Sequence, residues 1–427
     1  MNPATNLDDA IFVCDPRQWL TGEELKSYYV DRGSSARSKM LSMLRVNHLQ
    51  RNQPVKFLFT GHKGSGKTTE VNKLCEELGD RFFVVNVHFP NPADVSYVDV
   101  PLKAAMALFK KATDEEVVKR APAQVLGELW EDIGLFVEKK IFGDIRVRED
   151  GAARKEITAK LNFFGVEFES KFDTEPASRD QIRKANEKSL AEVNDKISLL
   201  SDQVKVKYGK PVLFVFEGLD KIELALAKEI FLDRSQSLTN FRASAIYLIP
   251  IGLRYTPQFS SLTRDFDSHV WLPNIKLHTR ENQPYPEGEA ILRDIIARRV
   301  EPSLFEEDAL QEIIRSSGGL IRSLIALARD AALNAAVRQS PKIGIEDSRR
   351  AVKRLLGDFI AMLESRHYPI LKARYDDKDL NSDDETQELL ESLALLEYEN
   401  DSYWCDVHPI VLPEVEKRTK VEKRTKK

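Results

Sequence analysis

Apolar residues along this chain fall into two rhythms. Short continuous runs alternate with stripes of three- and four-residue spacing, which predicts strands separated by helices. Val55-Lys56-Phe57-Leu58-Phe59-Thr60 reads as a buried strand, and Phe82-Phe83-Val84-Val85-Asn86-Val87 as a second that ends ahead of Pro90 and Pro92. Pro211-Val212-Leu213-Phe214-Val215-Phe216 is apolar throughout, as a strand buried on both faces of a parallel sheet must be. Ala245-Ile246-Tyr247-Leu248-Ile249-Pro250-Ile251 is another such run, and His269-Val270-Trp271-Leu272 a shorter one. Strands that alternate with helices specify an α/β fold with a parallel sheet, whose ligands sit at the carboxyl ends of the strands.

Helical spacing fills the intervals. Ala36, Met40, Leu41 and Leu44 mark one helix, and residues near 101–142 read as mostly helical with a break at Ala121-Pro122. Leu161, Phe163, Val166, Phe168 and Phe172 stand among polar residues, which predicts a hairpin or a pair of strands. Ser178 with Gln181 makes a capping box for a long helix. Leu190, Val193, Ile197, Leu200 and Val204 follow at helical spacing, either as a helix lying on the sheet or as a self-association seam. Residues 285–337 and 347–367 read as helical, and 384–412 as a helix followed by a hairpin that turns at Asn400-Asp401-Ser402.

Composition narrows the class. A length of 427 residues suggests roughly two to four domains. A net charge of −4 with 31% charged residues argues against binding polyanions by bulk electrostatics. Cys14, Cys75 and Cys405 are scattered, which fits a reducing compartment and supplies no metal site. The longest apolar run, Ala245 to Leu253, is too short for a bilayer, and the first residues carry no basic-then-apolar signal. A soluble cytoplasmic protein without a membrane partner is the expectation.

The chemistry lies between the first strand and the helix after it. Gly61-His62-Lys63-Gly64-Ser65-Gly66-Lys67-Thr68 satisfies every fixed position of G-x-x-x-x-G-K-[ST]. In such a loop the glycines let backbone N–H groups converge on a nucleotide's phosphates, Lys67 reaches the β- and γ-phosphates, and the Thr68 hydroxyl holds Mg²⁺. Thr69 opens the helix whose dipole favours the anion. His62 occupies a variable position and is expected to face solvent. The acidic partner such a loop needs is supplied by Glu217-Gly218-Leu219-Asp220 at the end of the Val212–Phe216 run. Glu217 stands where Asp is expected as the metal's carboxylate. Gly218 takes the place where motor-type ATPases carry the acid that activates water, which leaves Asp220 for that task and predicts slow hydrolysis.

Gly61–Thr68, Phe216-Glu217-Gly218-Leu219-Asp220 and Ser316-Ser317-Gly318-Gly319-Leu320-Ile321-Arg322, in that order, resemble the AAA+/STAND branch of P-loop ATPases, with a NACHT-like acidic motif. The resemblance implies an ASCE-type P-loop sheet that binds ATP and Mg²⁺, a helical lid in which Arg322 contacts the γ-phosphate, and a C-terminal winged helix at 385–412. Ile291-Leu292 through Arg298-Arg299-Val300, followed by Leu310 to Ile314, is similar to the lid of origin-recognition-type initiators. Tyr29-Val30-Asp31-Arg32 is similar to the N-terminal motif that covers adenine, which assigns Val30 and Arg32 to the nucleotide. Arg254, after the Ile246–Ile251 run, is either a surface arginine or the sensor arginine that belongs there. Arg242 and Arg264 read as solvated charges, with a finger to a neighbour's nucleotide in a homo-oligomer as the alternative. The chain is also similar to small stand-alone prokaryotic ATPases that often accompany defence genes. Glu217 and Lys221 depart from the family pattern, and no repeat array follows the core.

The layout expected is an N-terminal segment (1–50), an ATPase core (51–275) with an insert at about 100–208, a lid (276–345), a winged-helix-like domain (346–412) and a basic disordered tail (413–427). Asp376, Asp377, Asp379, Asp383, Asp384, Glu385, Glu388 and Glu391 crowd the winged-helix region, a surface that repels duplex DNA and favours a protein partner. The tail repeats a basic segment, Val415 to Lys420 and Val421 to Lys426. Three functions are compatible with these features: an ATP-dependent switch acting on a protein partner, an initiator- or loader-like ATPase that handles DNA, and a nucleotide-held scaffold without turnover.

Overall fold

The computed structural model describes residues 2–113, 176–400 and 402–425. The hairpin expected around Leu161–Phe172 and the helix break at Ala121-Pro122 lie outside the described residues.

Each apolar run becomes a strand. β1 (Lys56–Thr60), β2 (Phe83–His88), β3 (Val212–Glu217), β4 (Ser244–Leu248) and β5 (Ser268–Trp271) form one sheet in the order β2-β3-β4-β1-β5, every pairing parallel. This is the P-loop NTPase sheet of the additional-strand type. β4 stands between the strand that leads into the phosphate loop and the strand that ends in Glu217. At the usual strand spacing the carboxyl ends of β1 and β3 are therefore roughly 10 Å apart, a gap wide enough for phosphate and metal.

Side-chain alternation divides the sheet's two faces. Phe57, Phe59, Leu213, Val215, Ile246 and Leu248 pack with Met40 and Leu44 of the Ser35–Met43 helix and its continuation, and with Val71, Leu74 and Leu78 behind the phosphate loop. Leu58, Val85, Val87, Phe214, Phe216 and Tyr247 face the opposite way, against the Asp99–Thr113 and Leu190–Tyr208 helices. Val193, Ile197, Leu200 and Val204 are buried in that second layer. The stripe therefore serves the sheet, and the self-association seam is overturned. The long helix expected from Ser178 is two, Pro176–Asn186 and Leu190–Tyr208, joined by a 3₁₀ turn.

The C-terminal third has its own core. The lid helices Pro286–Ala297, Glu307–Ser316 and Ile321–Val337 share apolar contacts with the Ile345–Met362 helix and with Leu371, Leu389, Leu395, Val407 and Val415. The chain's first helix, Leu7–Val13, joins this core through Ala10, and Ala4 pairs in parallel with Val300. The expected N-terminal segment is thus split, its beginning on the lid and its Ala36–Leu44 stripe on the sheet. The helix expected over 347–367 stops at Met362, and a new one runs His367–Asp377. The Asp384–Glu391 helix then leads into the antiparallel hairpin of β6 (Leu395–Glu399) and β7 (Tyr403–Val407).

Residues 412–425 are helical, where a disordered tail is expected. Val411 and Val415 are buried one turn apart, and the Arg418 guanidinium lies 4.3 Å from the centre of the Tyr368 ring. An apolar edge too short to notice in a basic run is enough to dock the helix. Among the described residues no helix is long and apolar enough to cross a membrane.

Candidate functional site

A cavity of about 350 Å³ opens at the carboxyl ends of β1, β2 and β3. Val30, Arg32, Gly64, Gly66, Lys67, Thr68, Thr69, Glu217, Asp220 and Arg322 all line it. The fold thus brings together residues spread over nearly three hundred positions of sequence.

The loop is built for an anion. Gly66, at φ +95°, caps the Lys67–Leu78 helix without a side-chain hydrogen bond, so the first-turn N–H groups carry no internal partner and face the cavity. Gly64 is held at φ +89°, and a Cβ there would stand 2.6 Å from Cβ of Arg322. The Arg322 N–H donates to the Gly64 carbonyl at 3.1 Å, seating the start of the Ile321–Val337 lid helix directly on the loop. Arg32 Nη1 donates to the Ser65 carbonyl from the other side, at 2.5 Å. Burial lowers its guanidinium to about 10, so it stays cationic at neutral pH.

Lys67 crosses to the acidic strand. Its Nζ lies 2.9 Å from Asp220 Oδ2 and donates to the Gly61 and His62 carbonyls at 2.8 and 3.1 Å. Burial pushes the Asp220 carboxyl up, but Lys67 beside it outweighs that and leaves it below the ordinary carboxylate range. Glu217 Oε2 lies 3.0 Å from Nδ1 of His88, its register partner on β2. Gly218 then leaves the strand at φ +95°, where a Cβ would meet the Phe89 carbonyl oxygen at 2.5 Å. No side chain fits at 218, which explains why the acid expected beside Glu217 is absent.

Three expected site residues point elsewhere. His62 is buried, not solvent-facing, and its Nε2 accepts the Glu397 backbone N–H of β6 at 2.8 Å. Burial and the nearby Lys67 lower the imidazole to about 3, so it is a neutral acceptor. Lys63 Nζ pairs with Glu391 Oε2 at 2.9 Å. Arg254 donates to Glu397 Oε1 at 2.5 Å, with its guanidinium 4.5 Å from the Trp271 ring centre and 3.9 Å from that of Tyr403. None of the three lines the cavity, and neither do Gly61 and Ser65. Arg242 pairs with Asp202 at 2.8 Å, and Arg264 donates to Ser261 Oγ at 3.3 Å, both on the surface.

Other lining residues went unnoticed in the sequence. Glu70, one turn into the phosphate-loop helix, is buried against Arg37 (3.1 Å) and the Tyr29 hydroxyl (3.3 Å); burial raises its carboxyl. An acid in a helix's first turn was the available signal. Trp19 carries no local motif and reaches the cavity only through the packing of the first residues, while Arg299 follows the Pro286–Ala297 helix directly.

The donors suit a nucleotide with Mg²⁺. Thr68, Glu217 and Asp220 offer hard oxygen ligands at one cavity, the kind this ion takes together with phosphate oxygens. Among the described residues no group of three or more His, Cys, Asp and Glu would hold a metal by itself. Tyr28, Val30, Ile295 and Ile325 form an apolar wall on the lid side, where a base would lie.

No family model matches the chain, and no curated protein does. Among solved structures it is similar to the Walker-type ATPase of Pyrococcus abyssi, at 13% identity and TM-score 0.47 over 95% of this chain and 99% of that one. The ORC1 protein of Aeropyrum pernix, solved in complex with DNA, matches at 11% identity and TM-score 0.45 over 97% of each chain. Cdc6p of Pyrobaculum aerophilum matches at 14% identity and TM-score 0.43 over 98% of this chain and 100% of that one. Likeness at this level does not assign a function.

Proposed function

We propose that this chain binds ATP with Mg²⁺ and works as an AAA+/STAND-type conformational switch, hydrolysing slowly and acting on a protein partner. One observation carries the reading: the phosphate loop is held from both sides. Arg322 of the lid bonds Gly64 on the cavity side, while the C-terminal hairpin bonds His62 and its preceding helix pairs with Lys63 on the far side. A ligand that shifts the loop therefore pulls on two other parts of the molecule. The Asp384–Glu391 helix and the β6–β7 hairpin read as the winged helix of such a switch.

The residues fit slow chemistry. Mg²⁺ held by Thr68 and Glu217 would offset phosphate charge. A γ-phosphate competes with Asp220 for Lys67, and the carboxylate so released is the acid left to orient water. Gly218 has no room for a better-placed one. Positioning dominates phosphoryl transfer, so the missing acid lowers rate more than binding.

The DNA-handling alternative leans on the Leu412–Thr425 helix, but three of its cations are engaged locally. Lys417 and Arg418 both pair with Glu414, and Lys420 with Glu416. The deciding experiment is steady-state ATP turnover beside Lys67→Ala, with bound nucleotide quantified in both. Retained nucleotide with turnover well below about one per second supports the switch. Turnover at that rate or faster, lost in the variant, favours a motor or loader, and retention with no turnover at all favours the scaffold.

A further inference from the structure

The turn that carries Asp220 also carries a cation. Leu219–Lys221 is a single 3₁₀ turn leaving β3 through Gly218. It sends Asp220 inward to Lys67, while Lys221, on the same cavity, keeps an exposed side chain. The Lys221 Nζ lies 5.9 Å from the centre of the Trp19 ring, within cation–π reach. That ring is 5.5 Å from the ring of His88, whose Nδ1 contacts Glu217. Trp19 is 50% exposed, so a large aromatic is kept at the mouth of a charged cavity. Its segment is tied down next door, where Asn72 of the phosphate-loop helix donates to the Leu20 carbonyl at 3.0 Å.

Charge at this end of the cavity is unbalanced for a phosphate. Glu217 and Asp220 bring two carboxylates, and Lys67 already faces Asp220. A terminal phosphate arriving there would meet Lys221 on the acidic turn itself, beside the Lys67 and Arg322 that line the same cavity.

We propose that Lys221, steered by the Trp19 ring, is a γ-phosphate contact provided within the chain itself, and that it makes the site prefer ATP over ADP. The inference rests on the nucleotide reading of the cavity. It adds to Arg322 a second contact for the third phosphate, drawn from the acidic turn and the N-terminal segment and independent of any neighbour's arginine.

The test is a titration of the full chain with ADP and with a non-hydrolysable ATP analogue, followed by calorimetry and Trp fluorescence. Lys221→Met should weaken the analogue about tenfold, the worth of one charge-assisted hydrogen bond, and leave ADP within about twofold. Lys221→Arg should keep most of the preference, and Trp19→Leu should lose part of it. Unchanged melting without nucleotide confirms that each variant is folded. Equal weakening of both ligands by Lys221→Met, or no change in either, overturns the proposal. A wild-type chain that binds neither nucleotide overturns the nucleotide reading itself, and this inference with it.

Discussion

The phosphate loop has two faces, and they obey different physics. Towards the cavity it offers open helix N–H groups, Lys67 and Thr68, with charged neighbours on every side. Towards the C-terminal hairpin it offers His62 to a buried contact and Lys63 to a partly exposed ion pair, beside a wholly buried Glu397 that accepts from Arg254 and Tyr255 together. Gly64, Gly66, Lys67 and Thr68 serve the first face, and His62 and Lys63 the second. Eight residues thus join the cavity to the C-terminal hairpin. The joint is costly to keep closed: Glu397 Oε2 is buried there without a hydrogen-bond partner, and such an atom favours a state in which water reaches it. An interface of this kind suits reversible opening better than permanent assembly.

The two faces can be broken separately. The largest effect belongs to the cavity face: Lys67→Ala should weaken ATP about 1,000-fold, about 4 kcal/mol, because Lys67 would meet two phosphates at once. Equilibrium binding checks it, and a loss under about tenfold would remove the loop from the ligand site.

Next comes the pH response of the hairpin face. Burial raises the Glu397 carboxyl from 4.5 to about 7, against the opposing pull of Arg254 and of the Tyr255 hydrogen bond, with Glu399 adding to the rise. A folded-state pKa above the unfolded one means the folded chain holds the extra proton between those values. Stability should therefore fall as pH rises from about 4.5 to about 7, by about 3 kcal/mol, and level off above. Glu397→Gln should flatten that slope in urea unfolding at pH 5 and pH 7.5. A variant that keeps the wild-type slope assigns the effect to another group.

His62→Leu removes the acceptor of the Glu397 N–H and should lower stability by about 2 kcal/mol while leaving ADP affinity within about threefold. Thermal melting and a binding titration read the two numbers, and a collapse of affinity would mean that the faces are not separable. The smallest effect is expected from Lys63→Ala. Its ion pair with Glu391 is partly exposed, so about 0.5 kcal/mol is at stake, visible in a double-mutant cycle with Glu391→Ala.

Legibility varied along the chain for physical reasons. Three strands could be read because a strand buried on both faces must be apolar nearly throughout, and β1, β3 and β4 are buried at every position. The edge strands β2 and β5 are only partly buried but keep apolar runs of their own. The phosphate loop could be read because its geometry admits few residue types. Arg322, singled out through the resemblance as a γ-phosphate contact, lies beside the loop, where its backbone N–H bonds Gly64. Arg254 lay in the right place along the chain, but its side chain swings to Glu397 because the hairpin offers a buried carboxylate and two aromatic rings. His62 looked variable because the residue it needs is 335 positions away. The tail looked disordered because its few apolar residues are diluted by lysines and arginines.

Sequence alone determined the parallel α/β sheet, the glycine-rich loop after β1 and the acids at the end of β3, since each is set by local periodicity or by steric demands within a few residues. Only the tertiary structure decided which way His62, Lys63 and Arg254 turn, that the first residues cap the lid, and that Trp19 and Lys221 meet at the cavity mouth. Those outcomes depend on side chains from distant segments competing for the same buried partners, and that competition leaves no period or spacing in the chain.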